Sequence, residues 1–298
     1  MRRAVLCLAL SIAAFLVAAP LALARDKPYG TQSLVRLVGN RPAVNVVVNG
    51  QGPFLFLIDT ATSHTVFTPG LRDKLGLRAM PGPAVDVVTA AGSVSSQYYL
   101  IAETGASGVI VEGVRAVVLP LPESLGIMGA LGADFLANFV VDLDLRAQTI
   151  TLYPEQAELR IPGLKRVKGM TNGHNFIVLP AAIDGLKANV IFDSGATYTV
   201  GNPTLGTTAK SFGVPILRNI DNMITDAVRQ RQFAEAYNFS KIALGPATWR
   251  DARVLIANMR VFEQIGLGGK PTLFIGMDLM QGRRLVLDYG AGAIWLAP

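Results

Sequence analysis

The sequence predicts an all-β protein of two homologous lobes with few short helices. Three observations predict this fold: a tail segment that occurs twice, an apolar strand ending in aspartate that also occurs twice, and many short β-like runs separated by Gly and Pro. A chain of 298 residues has room for two domains, and 51% hydrophobic with 16% charged residues is typical of a globular protein.

The tail segment is the longer repeat. Residues 131–154 and 275–298 align without gaps and agree at eight of 24 positions. The identical pairs are Gly132 and Gly276, Asp134 and Asp278, Leu143 and Leu287, Asp144 and Asp288, Ala147 and Ala291, Ile150 and Ile294, Leu152 and Leu296, and Pro154 and Pro298. Agreement at a fixed offset within one chain indicates an internal duplication.

The second repeat is a strand that ends in an acid. FLFLIDTATSHTVF, residues 54–67, is repeated as VIFDSGATYTVGN, residues 190–202, and the alignment pairs Asp59 with Asp193. Burying an ionised carboxylate without partners costs several kcal/mol or more. Each aspartate therefore either caps a turn or belongs to a site that tunes its proton affinity.

Local signals support the same two-lobed reading. The hairpin signals Asn49-Gly50 and Asp184-Gly185 precede the two strands that end in aspartate. The stretch Thr68–Leu77 begins with Thr-Pro and reaches a glycine at position 76, which predicts a short helix. Both copies thus read as hairpin, apolar strand and aspartate.

The chain divides into a leader and two lobes. Residues 1–24 carry two arginines, a long apolar run and small residues before Arg25, which predicts a cleaved secretory signal peptide; an uncleaved membrane anchor is the alternative. The lobes are predicted at residues 25–157 and 166–298, joined by a charged linker around residues 156–166. Residues 25–43 are read as a leading strand, with a short pro-region as the alternative.

Composition favours an exported protein and excludes several partners. Cys7, the sole cysteine, lies in the leader, so the mature chain has no disulfide. Exported proteins without disulfides are more typical of bacteria than of eukaryotes. We therefore expect a periplasmic or secreted protein with no stable membrane association after cleavage of the leader. The net charge of +6 is scattered, and without interleaved aromatic residues it does not predict a nucleic-acid surface.

The two Asp-containing loops, each followed by an apolar-apolar-Gly segment, resemble those of aspartic proteases. The loops are residues 59–62 and 193–196, and the Gly-containing segments are residues 130–132 and 274–276. The resemblance covers residues 40–298 and is closer to bacterial and retroviral-type units than to larger pepsin lobes. It implies two lobes of six to seven strands each, related by pseudo-two-fold symmetry within one monomer.

The resemblance also implies a reaction. Asp59 and Asp193 would share one proton, because two carboxylates about 3 Å apart cannot both ionise. One would activate a water as general base while the other donates to the carbonyl oxygen of a peptide or unfolded protein. Neither a metal nor another cofactor is required.

The remaining loop residues would support this pair. By the resemblance, the hydroxyls of Thr60 and Ser194 brace the two loops against each other. The backbone amides of Ala61 and Gly195 would donate to the carboxylates. A glycine is usual at position 61 in the family, so the alanine methyl group could strain the loop or separate the lobes.

Two neighbouring positions bear on the pH dependence. By the resemblance, a hydroxyl at Thr62 would hydrogen-bond its carboxylate and favour the charged form, whereas Ala196 offers none. This mixed pair predicts a pH optimum above that of strongly acid-adapted members.

A flap is expected over the cleft. The candidate is the hairpin at residues 87–99, with Ala91, Gly92 and Ser93 at its tip, whose backbone would pair with an extended peptide. An ordinary surface hairpin is the alternative. The corresponding stretch of the second copy, residues 224–230, has no such glycine, so a different shape there would make the cleft asymmetric.

Other motifs are set aside. His64 and His174 lie in no metal-binding motif, and no nucleophile elbow surrounds Ser63. The acids Asp142 and Asp144 lie in one strand, but recurrence of the second as Asp288 favours a structural turn over a calcium site.

Two functions remain open from the sequence. The first is an exported aspartic endopeptidase with one catalytic aspartate from each lobe. The second is a catalytically inactive protein of the same fold that binds peptides or serves as a periplasmic scaffold. Fold alone does not decide between them.

Overall fold

The structure is a computed structural model that describes residues 32–89, 92–121, 126–155, 159–217, 223–226 and 229–298. The predicted leader, the flap residue Ala91 and linker residues 156–158 lie outside the described residues. No helix within them has the length and apolar character needed to cross a membrane.

The N-terminal lobe is a closed barrel. Its helices are α1 Pro69–Lys74 and α2 Ala133–Leu136. Its strands are β1 Ser33–Leu34, β2 Arg36–Val38, β3 Arg41–Val48, β4 Gln51–Ile58, β5 Val66–Phe67, β6 Val85–Val88, β7 Ser93–Ser96, β8 Tyr98–Ala106, β9 Val109–Val118, β10 Gly129–Leu131, β11 Phe139–Asp144 and β12 Thr149–Pro154. Strands β3, β4, β10, β5, β9 and β8 close in that order, because β3 pairs with both β4 and β8.

The C-terminal lobe repeats this barrel. Its helices are α3 Pro203–Ser211, α4 Arg260–Gln264 and α5 Met277–Met280. Its strands are β13 Lys165–Lys168, β14 Met170–Thr171, β15 Ile177–Ile183, β16 Leu186–Phe192, β17 Val200–Gly201, β18 Ile216–Leu217, β19 Met223–Thr225, β20 Arg231–Phe233, β21 Glu235–Leu244, β22 Ala247–Ile256, β23 Thr272–Ile275, β24 Arg284–Asp288 and β25 Ala293–Leu296. Strands β15, β16, β23, β17, β22 and β21 close through the pairing of β15 with β21. The predicted all-β, two-lobed fold is confirmed.

A six-stranded sheet joins the lobes. Its order is β1, β12, β11, β24, β25 and β13, so each lobe supplies three strands and β11 pairs with β24 at the centre. Across this junction the Arg284 guanidinium donates to both carboxylate oxygens of Asp142, at 2.9 and 2.6 Å. Because this sheet fixes the lobes side by side, their equivalent loops face each other.

The local signals of the sequence are also observed. Asn49-Gly50 and Asp184-Gly185 have positive φ at both residues, as a tight hairpin requires. Thr68 caps α1 by accepting a hydrogen bond from the Leu71 amide. Of the leading stretch predicted as a strand, residues 33–34 and 36–38 form strands, and residues 25–31 lie outside the described residues.

The duplicated acids at the end of the tail strands have the predicted structural role. The Asp144 carboxylate accepts hydrogen bonds from the backbone amides of Arg146 and Ala147. The Asp288 carboxylate accepts one from the Ala291 amide in the equivalent turn. Both acids therefore cap the turns that lead into the last strand of their lobe.

Candidate active site

Each candidate aspartate follows directly on a central barrel strand. Asp59 follows β4 and Asp193 follows β16, and each strand lies parallel to the shorter β10 or β23 beside it. The Asp59 amide donates to the Leu131 carbonyl at 3.1 Å, and the Asp193 amide donates to the Ile275 carbonyl at 2.9 Å. The apolar-apolar-Gly segments thus hold the start of both loops.

Four buried hydrogen bonds lock the two loops together. The backbone amides of Thr60 and Ser194 each donate to the hydroxyl of the other residue, both at 3.1 Å. The Thr60 hydroxyl donates to the Phe192 carbonyl at 2.7 Å, and the Ser194 hydroxyl donates to the Ile58 carbonyl at 2.6 Å. Neither hydroxyl is left for nucleophilic attack, because each is committed to the opposite lobe.

This lock brings the Asp59 carboxyl against the opposite loop. A methyl group built on Gly195 would lie 2.3 Å from Asp59 Oδ2, so the Asp59 carboxylate rests against the loop that carries Asp193. The Ala61 amide donates to Asp59 Oδ1 at 3.1 Å. The amides of Gly195 and Ala196 both donate to Asp193 Oδ1, at 3.0 Å each.

The surroundings hold the pair, hereafter the dyad, in a protonation state suited to acid–base chemistry. Burial raises the pKa of Asp59 to about 6, against the opposing effects of the Ala61 amide and the Arg41 charge. Burial and then the charge of Asp59 raise the pKa of Asp193 to about 8. One acid can therefore be charged while the other keeps its proton near neutrality.

The structure accommodates alanine at position 61, where the family usually has glycine. The expectation that the Thr62 hydroxyl hydrogen-bonds the Asp59 carboxylate is wrong. The half-buried Ala61 packs against an apolar cluster of the C-terminal lobe that includes Phe176 and Val178, so its methyl group has a place to lie. The Thr62 hydroxyl donates to the His64 carbonyl at 3.4 Å, and the described hydrogen bond to Asp59 in this loop comes from the Ala61 amide.

A comparison with protein families fits this geometry. A family model described as aspartyl protease matches residues 44–135 and 179–279, which together make up more than half of the chain. The chain belongs to the aspartyl protease family. The two matches coincide with the two barrels, so the aspartyl protease unit occurs twice. A search of curated proteins found no match.

The chain carries a second duplicated network that sequence reasoning missed. Asp134 accepts hydrogen bonds from the Thr65 hydroxyl at 2.7 Å and the Thr65 amide at 2.9 Å. Asp278 does the same with Thr199, at 2.6 and 3.0 Å. The repeat aligned Asp134 with Asp278. Their threonine partners lie 69 and 79 residues away in the sequence, so the alignment alone did not indicate a role for these acids.

The glycines before these acids allow the network to form. A methyl group on Gly132 would lie 2.5 Å from the His64 backbone, and one on Gly276 would lie 2.5 Å from that of Tyr198. Each glycine amide donates to the hydroxyl of the neighbouring threonine, Thr65 or Thr199. The fold therefore needs glycine at both positions because two backbones cross there.

Removing Asp278 should destabilise the fold. We expect Asp278→Ala to lower the free energy of unfolding by about 3 kcal/mol, because the fully buried Thr199 loses acceptors for both its amide and its hydroxyl. Denaturant unfolding measures the change, with the exposed Asp86→Ala as the matched control. A loss below about 0.5 kcal/mol would contradict the structural role.

The candidate flap is a hairpin that reaches the other lobe. Strands β6 and β7 pair antiparallel, and the Arg260 guanidinium of the C-terminal lobe donates to the Ser93 hydroxyl at 3.4 Å. A methyl group on Gly92 would meet the Gln230 side chain. Strands β19 and β20 form an equivalent hairpin in the second lobe, so the absence of a glycine did not prevent a flap-like hairpin there.

The two histidines contact other side chains than those of Asp59 and Asp193. The Ser63 hydroxyl lies 2.8 Å from His64 Nδ1, and the Tyr98 hydroxyl lies 3.3 Å from its Nε2. His174 stacks on Phe176. Within the described part of the chain, no three His, Cys, Asp or Glu side chains gather as ligands for a metal ion.

Proposed function

We propose that this chain is an exported aspartic endopeptidase in which Asp59 and Asp193 activate a water molecule. The observation that carries the proposal is the reciprocal bonding of Thr60 and Ser194, which joins one loop of each lobe and leaves both carboxyls at the junction. Such a connection holds the two loops in a fixed relative position, which acid–base catalysis requires when both acids act on one substrate bond.

The reaction needs only the groups described and one water. The charged carboxylate takes a proton from the water, whose oxygen bonds to the peptide carbonyl carbon. The protonated carboxyl gives its proton to the carbonyl oxygen. In the second half, the carboxyl that took the water proton gives it to the amide nitrogen, the other carboxylate takes a proton from a hydroxyl of the tetrahedral intermediate, and the C–N bond breaks, so the dyad again holds one proton and one negative charge.

We infer the substrate class from the two hairpins. An extended peptide or unfolded segment would lie between the dyad and the hairpins β6–β7 and β19–β20, and it could pair with them as an added strand. We propose a monomer in which both lobes of one chain make the site. Export rests on the leader-like residues 1–24.

A peptide-binding protein without hydrolysis is the second candidate. The observation that favours it is Ala61, whose methyl group occupies a position that is glycine in the other loop. Such a protein would keep the cleft and its hairpins and lose only the alignment of the water.

Cleavage by the purified chain lacking residues 1–24 separates these candidates. We expect new peptide ends in an unfolded protein and in a peptide library, detected by mass spectrometry between pH 3 and 9. Loss of cleavage in the presence of a peptide whose scissile bond is replaced by a non-cleavable hydroxyl-bearing isostere would link the activity to the dyad. Peptide binding with no cleavage anywhere in this range would favour the second candidate.

The pH profile tests the dyad directly. Because the pKa values are raised to about 6 and about 8, the singly protonated dyad dominates between them. We expect kcat/KM to peak in that interval, falling at lower pH as both carboxyls protonate and at higher pH as both ionise. A peak below about pH 3 would show that burial does not control these acids.

A further inference from the structure

Arg41 lies beside the dyad because of a strand register. A two-residue turn at Gly39 and Asn40, both with positive φ, ends where β3 begins, so Arg41 is the first residue of that strand. Strand β3 pairs with β4 so that Ala43 lies opposite Leu57. Two residues further along the same register, Arg41 is opposite Asp59.

The guanidinium of Arg41 has an unusual environment. The side chain is half-buried, and its Nε atom is fully buried without a hydrogen-bond partner in the described part of the chain. The described carboxylates form no ion pair with it, whereas Arg284 is paired with Asp142. Burying such a group without a compensating charge nearby is unfavourable.

The charges that act on Arg41 are those of the dyad. Burial lowers the pKa of Arg41, and the charges of Asp59 and then Asp193 act in the opposite direction. Reciprocally, Arg41 opposes the rise in the pKa of both aspartates. Tyr289, whose buried hydroxyl also faces the charge of Asp59, stays neutral because burial raises its pKa.

We propose that Arg41 is a positioning residue that supplies the counter-charge of the dyad and keeps the two carboxyls singly ionised. The charges balance: two carboxyls with one proton carry one negative charge, and the guanidinium carries one positive charge. The reaction proposed above keeps the dyad and its substrate at the same total charge, so Arg41 would act equally in every step. The catalytic consequence rests on the proposed function.

One lobe alone supplies this charge. In the C-terminal lobe, Leu179 lies opposite Val190, which puts Phe176 in the position relative to Asp193 that Arg41 has relative to Asp59. Phe176 is buried in the apolar cluster that also receives Ala61. The duplicated lobes therefore differ at this position. A second cation there would exceed the single negative charge of the dyad.

The test compares Arg41→Met with Arg41→Lys. We expect Arg41→Met to move both limbs of the kcat/KM pH profile upward by about one pH unit, which is about a tenfold loss on the acid side. Arg41→Lys should restore most of the wild-type profile. A uniform loss with unchanged limbs would overturn the proposal and leave Arg41 a purely structural role.

A second readout does not depend on activity. Nuclear magnetic resonance of protein labelled at the aspartate carboxyl carbons should detect the titration of the dyad, assigned with Asp193→Asn, and the Met variant should titrate at higher pH. If the wild type cleaves nothing, the proposed function fails. The titration still shows whether the charge of Arg41 lowers the pKa values of the dyad. Should Arg41→Met not fold, Arg41→Gln removes the charge while keeping hydrogen-bonding atoms, and an unshifted titration there overturns the proposal.

Discussion

Replacing Asp193 with asparagine should abolish peptide-bond hydrolysis and leave the fold intact. The amide cannot share a proton with Asp59 or return one to the leaving nitrogen, so we expect kcat to fall by at least about 10³-fold. The same substrate and the same pH range as for the wild type give the comparison. The exposed Asp251→Asn is the matched control and should keep full activity.

The Asp193→Asn variant should be as stable as the wild type, so a loss of activity would not result from unfolding. Burial raises the pKa of Asp193, so the folded state holds its proton more tightly than the unfolded state does. The ionisation of Asp193 therefore disfavours the folded state once the pH rises above the unfolded pKa. We expect Asp193→Asn to unfold at a temperature no lower than the wild type at pH 8. Full activity in a folded Asp193→Asn protein would exclude the aspartic mechanism.

Gly195→Ala should be the second most damaging change. Its methyl group would lie 2.3 Å from Asp59 Oδ2 and 2.5 Å from the carboxyl carbon, so Asp59 must move. A displacement of about 1 Å in a catalytic group can cost about 10²-fold, and we expect kcat/KM to fall by at least that factor. Steady-state kinetics at the optimum pH measure it.

The pseudo-symmetric control is Ala61→Gly. The Ala61 methyl packs on the apolar cluster of the C-terminal lobe, so its loss should lower the free energy of unfolding by about 0.5–1 kcal/mol and change kcat/KM only a few-fold. Wild-type activity in Gly195→Ala would contradict the geometry of the dyad. Activity that emerges in Ala61→Gly from an inactive wild type would identify this chain as the peptide-binding protein.

The local sequence predicted much of this fold. The turns at Asn49-Gly50 and Asp184-Gly185, the helix capped by Thr68 and the capping acids Asp144 and Asp288 follow from residues within a few positions of each other. Such features depend on backbone preferences and short hydrogen bonds, which a single sequence displays directly. The repeat then extended these local readings to two lobes.

Contacts between distant residues were harder to predict. The partners of Asp134 and Asp278 lie at the crossing of two loops, and the hydroxyl of Thr62 turns away from Asp59, contrary to expectation. Arg41 carries no signal in the sequence, because an arginine at the start of a strand is usually solvated. Its position relative to the dyad depends on the register of β3 against β4, which the sequence alone does not specify.

By itself, the sequence determined that this chain is a duplicated β protein with one candidate catalytic aspartate in each half. The tertiary structure shows that the Asp59 carboxyl lies against the loop of Asp193, that Ala61 packs beside the second lobe, and that the register of β3 and β4 brings Arg41 opposite Asp59. The physical reason is that strand patterns and turns are encoded by neighbouring residues, whereas the charge state of a buried acid depends on every group that the fold packs around it.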